Sequence, residues 1–423
     1  MLGLIIGIFV IGYLAIAFEH PIKINKTASA LVTGVLCWTV YVLFTSHEAE
    51  SIVEELSHHL GAVAEILFFL LGAMTIVELV DAHHGFKVIT DRITTRNSRT
   101  LLWVLSIITF FLSAILDNLT TSIVMVSLLR KLISDNEQRK FYAGVVIIAA
   151  NAGGAWSPLG DVTTTMLWIG GQISALSIIV SLIIPSIACL LVPLVFLSFR
   201  MKGDILGEQS EIEGDTHEKS KLMLFVGVGG LVFVPIFKTI THLPPYMGML
   251  LALGVVWIVS ELVNSDKDEE EKHPYTPAHA LSKIDTSSVL FFLGILIAIG
   301  ALEATHLLTD LATWMSDTIG NLDIIVVAIG LASAVIDNVP LVAATMGMYD
   351  LNTFPTDAKL WEFLAYCAGT GGSVLIIGSA AGVAVMGMEK IDFVWYIKRI
   401  SLLALMGYFA GVIVYLGMYS LMS

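Results

Sequence analysis

The sequence predicts an all-α polytopic membrane protein made of two inverted repeats. Each repeat is expected to hold five transmembrane helices plus a re-entrant hairpin, with broken helices at the midplane. Three observations lead there. Of 423 residues, 56% are hydrophobic and 14% charged, against about 25% charged in a soluble domain, and apolar runs long enough to cross a bilayer recur from end to end. An Asp-Asn pair interrupts two of these runs, as Asp117-Asn118 and again as Asp337-Asn338. Two further runs are interrupted by glycine pairs, Gly153-Gly154 and Gly371-Gly372.

In chain order, spans are expected at 2–18, 28–45, 62–82, 141–169, 172–199, 221–239, 244–263, 288–306, 360–388 and 391–420. The first lacks a basic start and a small-residue cleavage site, so it reads as a helix rather than a cleaved signal. The stretches 100–130 and 322–349 are split by their Asp-Asn pairs into arms shorter than the ~20 residues of a full crossing. Each reads as a hairpin that turns at Asp-Asn and returns to its own side. Residues 1–202 form the first repeat, with hairpin 100–130 and broken helix 141–169. Residues 221–423 form the second, with hairpin 322–349 and broken helix 360–388, and an acidic cytoplasmic linker, 203–220, joins them.

Charge bias sets the orientation. With loop 87–99 inside, all of the 22 Lys and Arg residues except Lys238 and Lys359 fall inside, and both termini lie outside. Five crossings per half invert the second copy relative to the first. The halves also echo each other in Phe68-Phe69-Leu70-Leu71-Gly72 and Phe291-Phe292-Leu293-Gly294. The net charge of −14 is concentrated in loops 203–218 and 266–271, which reads as solvated surface and gives nucleic acid nothing to bind. Cys37, Cys189 and Cys367 lie in apolar spans at unrelated spacings and read as core thiols.

Charge at membrane depth marks an ion pathway or proton relay by default. Asp117, Asp161 and Asp337 have no Lys or Arg near them in their own spans, so they are the prime candidates. Unwound backbone in a membrane lines a cavity or is buried in protein, and its freed carbonyls suit a hard cation. The expected ion and proton ligands are Asp117, Asn118, Thr120, Asn151, Ser157, Asp161, Thr163 and Thr164 in the first half. Asp337, Asn338, Thr370 and Ser373 are their counterparts in the second. Na+ itself is assigned to Asp117, Asn118, Asn151 and Asp161. Each has a plainer reading. The hydroxyls can bond a carbonyl one turn back, the glycines can serve close packing, and Asn118 and Asn338 can cap the returning hairpin helix. Glu65, Glu78, Asp81, His83 and His84 form a second set, readable as a proton relay or pH sensor or as an ordinary interfacial cluster. His58 and His59 are expected in an external loop.

The block Asn151-Ala152-Gly153-Gly154-Ala155-Trp156-Ser157-Pro158-Leu159-Gly160-Asp161-Val162-Thr163-Thr164-Thr165, with the tips Leu116-Asp117-Asn118-Leu119-Thr120-Thr121 and Ile336-Asp337-Asn338-Val339-Pro340, resembles the NhaD-type sodium/proton antiporters of the ion transporter superfamily. The resemblance covers almost the whole chain. It implies a bacterial inner-membrane homodimer that exports Na+ or Li+ for H+ by an elevator motion, with no cofactor beyond the transported ions. The superfamily also holds dicarboxylate and arsenite carriers, which is the main alternative. Acidic tips repel an anionic substrate and suit a cation. An intramembrane enzyme finds no support, since neither an HExxH nor a GxSxG motif occurs.

Overall fold

The computed structural model describes residues 1–45, 48–91, 93, 95, 97–200, 218–265 and 268–422. The acidic linker 203–220 falls almost wholly outside the described residues, as do Arg92, Arg96, Lys202 and Lys267 of the charge tally. What is described is all-helical. The helices are α1 (Leu2–Ala17), α2 (Lys26–Phe44), α3 (Ala49–Ala82), α4 (Ser98–Leu116), α5 (Asn118–Leu132), α6 (Asn136–Ala155), α7 (Val162–Ile169) and α8 (Ala175–Arg200) in the first part. They continue as α9 (Glu218–Thr241), α10 (Pro245–Val263), α11 (Thr286–Ala304), α12 (Leu307–Ile319), α13 (Leu322–Ala332), α14 (Asn338–Met348), α15 (Lys359–Gly371), α16 (Ala380–Glu389) and α17 (Leu402–Met422). Among the described residues, eight helices are long and apolar enough to cross a membrane, or nine if α12 and α13, bent by 115°, count as one span. Large apolar side chains such as Ile11, Leu43, Phe199, Phe225 and Ile413 point outward, as expected where lipid is the solvent. The chain is a multi-pass membrane protein.

Local chemistry sets the helix ends. Asn25, Asn97, Asp135, Asp285 and Asn321 each accept a bond from a backbone N–H of the helix that follows, as good N-caps do. Both Asp-Asn stretches are helix–tip–helix units, α4–α5 and α13–α14, and the spans 141–169 and 360–388 are broken at 156–161 and 372–379.

Three boundaries depart from expectation. The third span starts at Ala49 rather than residue 62, so His58 and His59 sit on a helix, not in a loop. The polar residues 50–59 had concealed it, because a helix longer than the bilayer carries polar turns past the apolar boundary. The first span is a 16-residue helix, short for a crossing. Helix α12 was not expected at all. It buries Leu308 and Ala312 while Asp310 and Asp317 face outward. Its apolar residues Leu307, Leu308, Leu311, Ala312, Met315 and Ile319 recur at helical spacing, a pattern that a search for unbroken apolar runs passes over.

Two cores organise the packing. One joins α1, α2, α11, the first half of α3 and the start of α14. The other joins α4–α8, α13, α15 and α17. A buried clamp secures the second group: Glu389 at the end of α16 accepts Arg130 Nε at 2.7 Å and Arg139 Nε at 2.6 Å. The three cysteines are free and buried.

Candidate functional site

The glycines bring the site together. A Cβ on Gly153 would lie 2.2 Å from Phe110 O, and one on Gly371 would lie 1.9 Å from Gly330 O. No side chain tolerates that, so only glycine lets each broken helix touch its hairpin backbone to backbone. A serine sits beside each contact: Ser113 Oγ donates to Ala150 O at 2.6 Å, and Ser333 Oγ is shared between Gly330 O at 2.7 Å and Ala368 O at 3.1 Å. On the hairpin side the spacing is the same: Phe110 and Gly330, and likewise Ser113 and Ser333, stand equally far before their tip aspartates.

The aspartates, not the asparagines, cap the returning helices. Asp117 accepts Thr120 N and Thr120 Oγ1, each at 2.8 Å. Asp337 accepts Val339 N at 3.2 Å. Asp161 caps α7, taking Thr163 N at 2.9 Å and Thr163 Oγ1 at 3.0 Å on its Oδ1. Ser379 caps α16, taking Gly382 N at 3.2 Å. Freed from capping, the asparagines reach inward. Asn118 Nδ2 donates to Asp161 Oδ2 at 2.9 Å and to Asn151 Oδ1 at 3.0 Å. Asn338 Nδ2 donates to the same Asp161 Oδ2 at 3.3 Å. Asn151 Nδ2 donates to Ser373 Oγ at 2.9 Å and Ser379 Oγ at 3.0 Å. Asp161 therefore joins both hairpin tips, and Asn151 joins both broken helices. Asp117 and Asp337 are close enough for their charges to act on Asp161.

Four half-helix N-termini, those of α5, α7, α14 and α16, are tied into this network. Each carries about half a positive charge, and three of the four are capped by a carboxylate. Asp117 is held at φ 108, ψ 160, a region nearly reserved for glycine that costs about 1–3 kcal/mol. Asp337, at φ −48, ψ 135, is unstrained. Asp337 also has a cation: Lys26 Nζ, from the start of α2, lies 3.2 Å from its Oδ2.

The structure divides the expected ligands. Asn118, Asn151, Asp161, Thr163, Asn338 and Ser373 belong to one hydrogen-bonded set, while Asp117 bonds Thr120 and Asp337 bonds Val339 N and Lys26 at its edge. Ser157 Oγ instead donates to Ala114 O at 2.5 Å, Thr164 Oγ1 to Ser157 O at 2.7 Å, and Thr370 Oγ1 to Tyr366 O at 2.6 Å. These three hydroxyls fasten backbone to backbone. Lys26, on Asp337, and Ser379, on Asn151, are partners that sequence reasoning left out. Ser379 had a signal, since Gly378-Ser379 precedes a helical run as an N-cap would; Lys26 had none.

Over 98% of its length and 72% of theirs, the chain is 53% identical to sodium/proton antiporter 1 of Arabidopsis thaliana. It is 30% identical to the Na+/H+ antiporter NhaD of Vibrio cholerae over 97% of this chain and 90% of that one. The chain belongs to the NhaD-type sodium/proton antiporter family. It is a transporter, not an enzyme. Sodium/proton antiporter 2 of Arabidopsis thaliana is 50% identical over 98% of this chain and 99% of that one. Residues 13–361 also match the citrate transporter family model. The crystal structure of the YdaH transporter of Alcanivorax borkumensis has the same fold, with a TM-score of 0.61, 10% identity, and coverage of 92% of this chain and 97% of that one.

In the antiporter, the acid and histidine set stands apart from this network. His83 is buried, with Nδ1 2.8 Å from Leu79 O and Nε2 2.8 Å from Asn264 Nδ2. Asn264 Nδ2 also donates to Ser260 O at 2.9 Å. The amide is therefore a donor to Nε2, and Nδ1 carries the proton, which fixes a neutral tautomer. Asp81 lies near His84 and Lys87, Glu78 near Lys283, and Glu65 near Lys238. Each of the three acids thus has a basic neighbour of its own.

Proposed function

We propose that this antiporter exports Na+ or Li+ in exchange for H+, through carboxylates that bind the two competitively. Asp117 and Asp161 take Na+ when ionised, with Asn118 and Asn151 as neutral oxygen donors. After Na+ leaves, one or more carboxylates take protons and the neutralised unit returns. The two halves act as inverted repeats, and the hairpins and broken helices slide as an elevator against a dimerising scaffold. The membrane is a bacterial inner membrane with both termini outside. This location rests on the resemblance of the sequence, since relatives come from a plant as well as from bacteria.

The observation that carries the reading is the meeting of both tips at Asp161. Four positive helix ends on their own suit an anion, and the citrate transporter description raises that alternative. Here the chain's own carboxylates occupy three of those ends, which cancels the attraction for an anion and supplies hard oxygen ligands for a cation. The shared network supports competition: a cation drawing on Asp161 and a proton on the same group exclude each other.

The test uses purified protein in liposomes with an acidic lumen and a pH-sensitive dye. Na+, Li+, K+ or choline is added outside, with wild type and Asp161→Asn in parallel. Lumenal alkalinisation by Na+ and Li+ alone, lost in the variant, is the expected result. Flux of citrate or arsenite without any response to Na+ or Li+ would overturn it.

A further inference from the structure

Lys26 sets the second tip apart, and no part of the reading above uses it. Its Nζ lies 3.2 Å from Asp337 Oδ2 and 4.4 Å from the centroid of the Phe291 ring. An anion on one side and an aromatic face on the other make a seat for a monovalent cation. The backbone at Lys26 is fixed too, because its N–H donates to Glu19 Oε1 at 3.1 Å and Asn25 caps the helix that begins there. The pair is not sealed from water: the lysine side chain is 25% exposed and the aspartate 15%. Nearby, Tyr13 Oη is buried without a hydrogen-bond partner among the described residues, and the Asp337 charge reaches it. An orphaned hydroxyl beside a carboxylate is a ligand without an occupant.

We propose that Lys26 is a tethered substitute for a second Na+: its ammonium occupies the cation seat at Asp337, limiting each protomer to one bound Na+. The inference rests on the reading that Asp117 and Asp161 hold the transported ion. An ammonium and Na+ carry the same charge, so either neutralises Asp337. The tethered one competes at an effective concentration in the millimolar range or above, and so excludes a free ion of modest affinity. Among the described residues no lysine or arginine pairs with Asp117 at the first tip. Removing the ammonium uncovers a seat made of Asp337 Oδ2 and the face of the Phe291 ring. Lys26 is thus a positioning residue that sets the number of ions the site holds.

The test is equilibrium binding of radioactive Na+ to purified full-length protein at fixed pH, counted per chain. Wild type binds one Na+, and so does Lys26→Arg. Lys26→Gln binds two, and the double variant Lys26→Gln/Asp337→Asn returns to one. A merely structural role for Lys26 changes yield or stability but cannot raise the count and then lower it again. One Na+ in Lys26→Gln, or two in wild type, overturns the inference. Should Lys26→Gln not fold, Asp337→Asn decides: it keeps one Na+ at an affinity within threefold of wild type, and loss of the bound ion overturns the proposal. No binding to wild type, or binding untouched by Asp161→Asn, is the separate signature that the underlying reading fails.

Discussion

At the first hairpin tip, both oxygens of Asp117 bond Thr120, and the backbone sits at φ 108. At the second, one oxygen of Asp337 bonds Val339 N, the other faces Lys26, and the backbone sits at φ −48. Around them the plan repeats: a glycine against the hairpin backbone, a serine beside that contact, and an asparagine turned to Asp161. The difference teaches that one scaffold copy is tuned to hold an uncompensated charge. Its own helix end and a hydroxyl support that charge at a cost in backbone strain. The other copy holds a compensated charge with no strain.

The comparison is broken most directly by neutralising each tip. Taking the cost of an uncompensated buried charge as a guide, Asp117→Asn is expected to lower Na+-driven proton flux by about 100-fold or more, and Asp337→Asn by less than ~10-fold. Equal losses in liposome assays would mean that the tips are functionally alike. The shared part of the plan predicts equality instead. Gly153→Ala and Gly371→Ala each force a methyl into a backbone oxygen, so each should cost about 1–3 kcal/mol by overpacking, read as loss of thermal stability in detergent.

The strain predicts opposite signs. Asp117→Gly sheds about 1–3 kcal/mol of strain and loses a few tenths from the cap, so it should melt higher than wild type while transport is lost. Asp337→Gly, with no strain to relieve, should melt lower. Thr120 sharpens the contrast further, because its counterpart after the second tip is Pro340, which has no hydroxyl to offer. Thr120→Val should weaken apparent Na+ affinity by roughly tenfold, the size of one hydrogen bond to a charged group.

The smallest effect lies at the exit of the second hairpin. The N–H of Thr353 first, then its hydroxyl and the N–H of Asn352, hold the exposed Asp350 carboxyl below its usual range. A lowered folded value means that this turn is stabilised at neutral pH and loosens as pH falls through that value. The protection of residues 350–354 against hydrogen exchange, taken relative to the intrinsic rate at each pH, should fall on acidification, and Asp350→Ala should remove the dependence.

Much of this was legible in the sequence because it was local. The tips, the breaks at 156–161 and 372–379 and most spans are written in short runs where a polar or glycine residue interrupts apolar neighbours. What was not legible is pairwise and distant. Asp337 and Lys26 are 311 residues apart, and the absence of a cation near Asp337 in its own span said nothing about another helix. Asn118 and Asn338 are readable from sequence both as ligands and as caps, because either residue of an Asp-Asn pair makes a good N-cap; only the fold decides which turns inward. The hydroxyls of Ser157, Thr164 and Thr370 looked like ligands for the same reason that they are fasteners: freed carbonyls attract whichever donor is nearest.

The clamp at Glu389 has a consequence for biosynthesis. Arg130 and Arg139 leave the ribosome some 250 residues before the carboxylate that receives both, and Asn151 waits as long for Ser373 and Ser379. Until the last quarter of the chain is inserted, the first hairpin and the first broken helix cannot complete their polar pairing. The two halves, however alike in plan, are therefore not separate folding units. A first half translated alone leaves Arg130 and Arg139 without the carboxylate that both of them share.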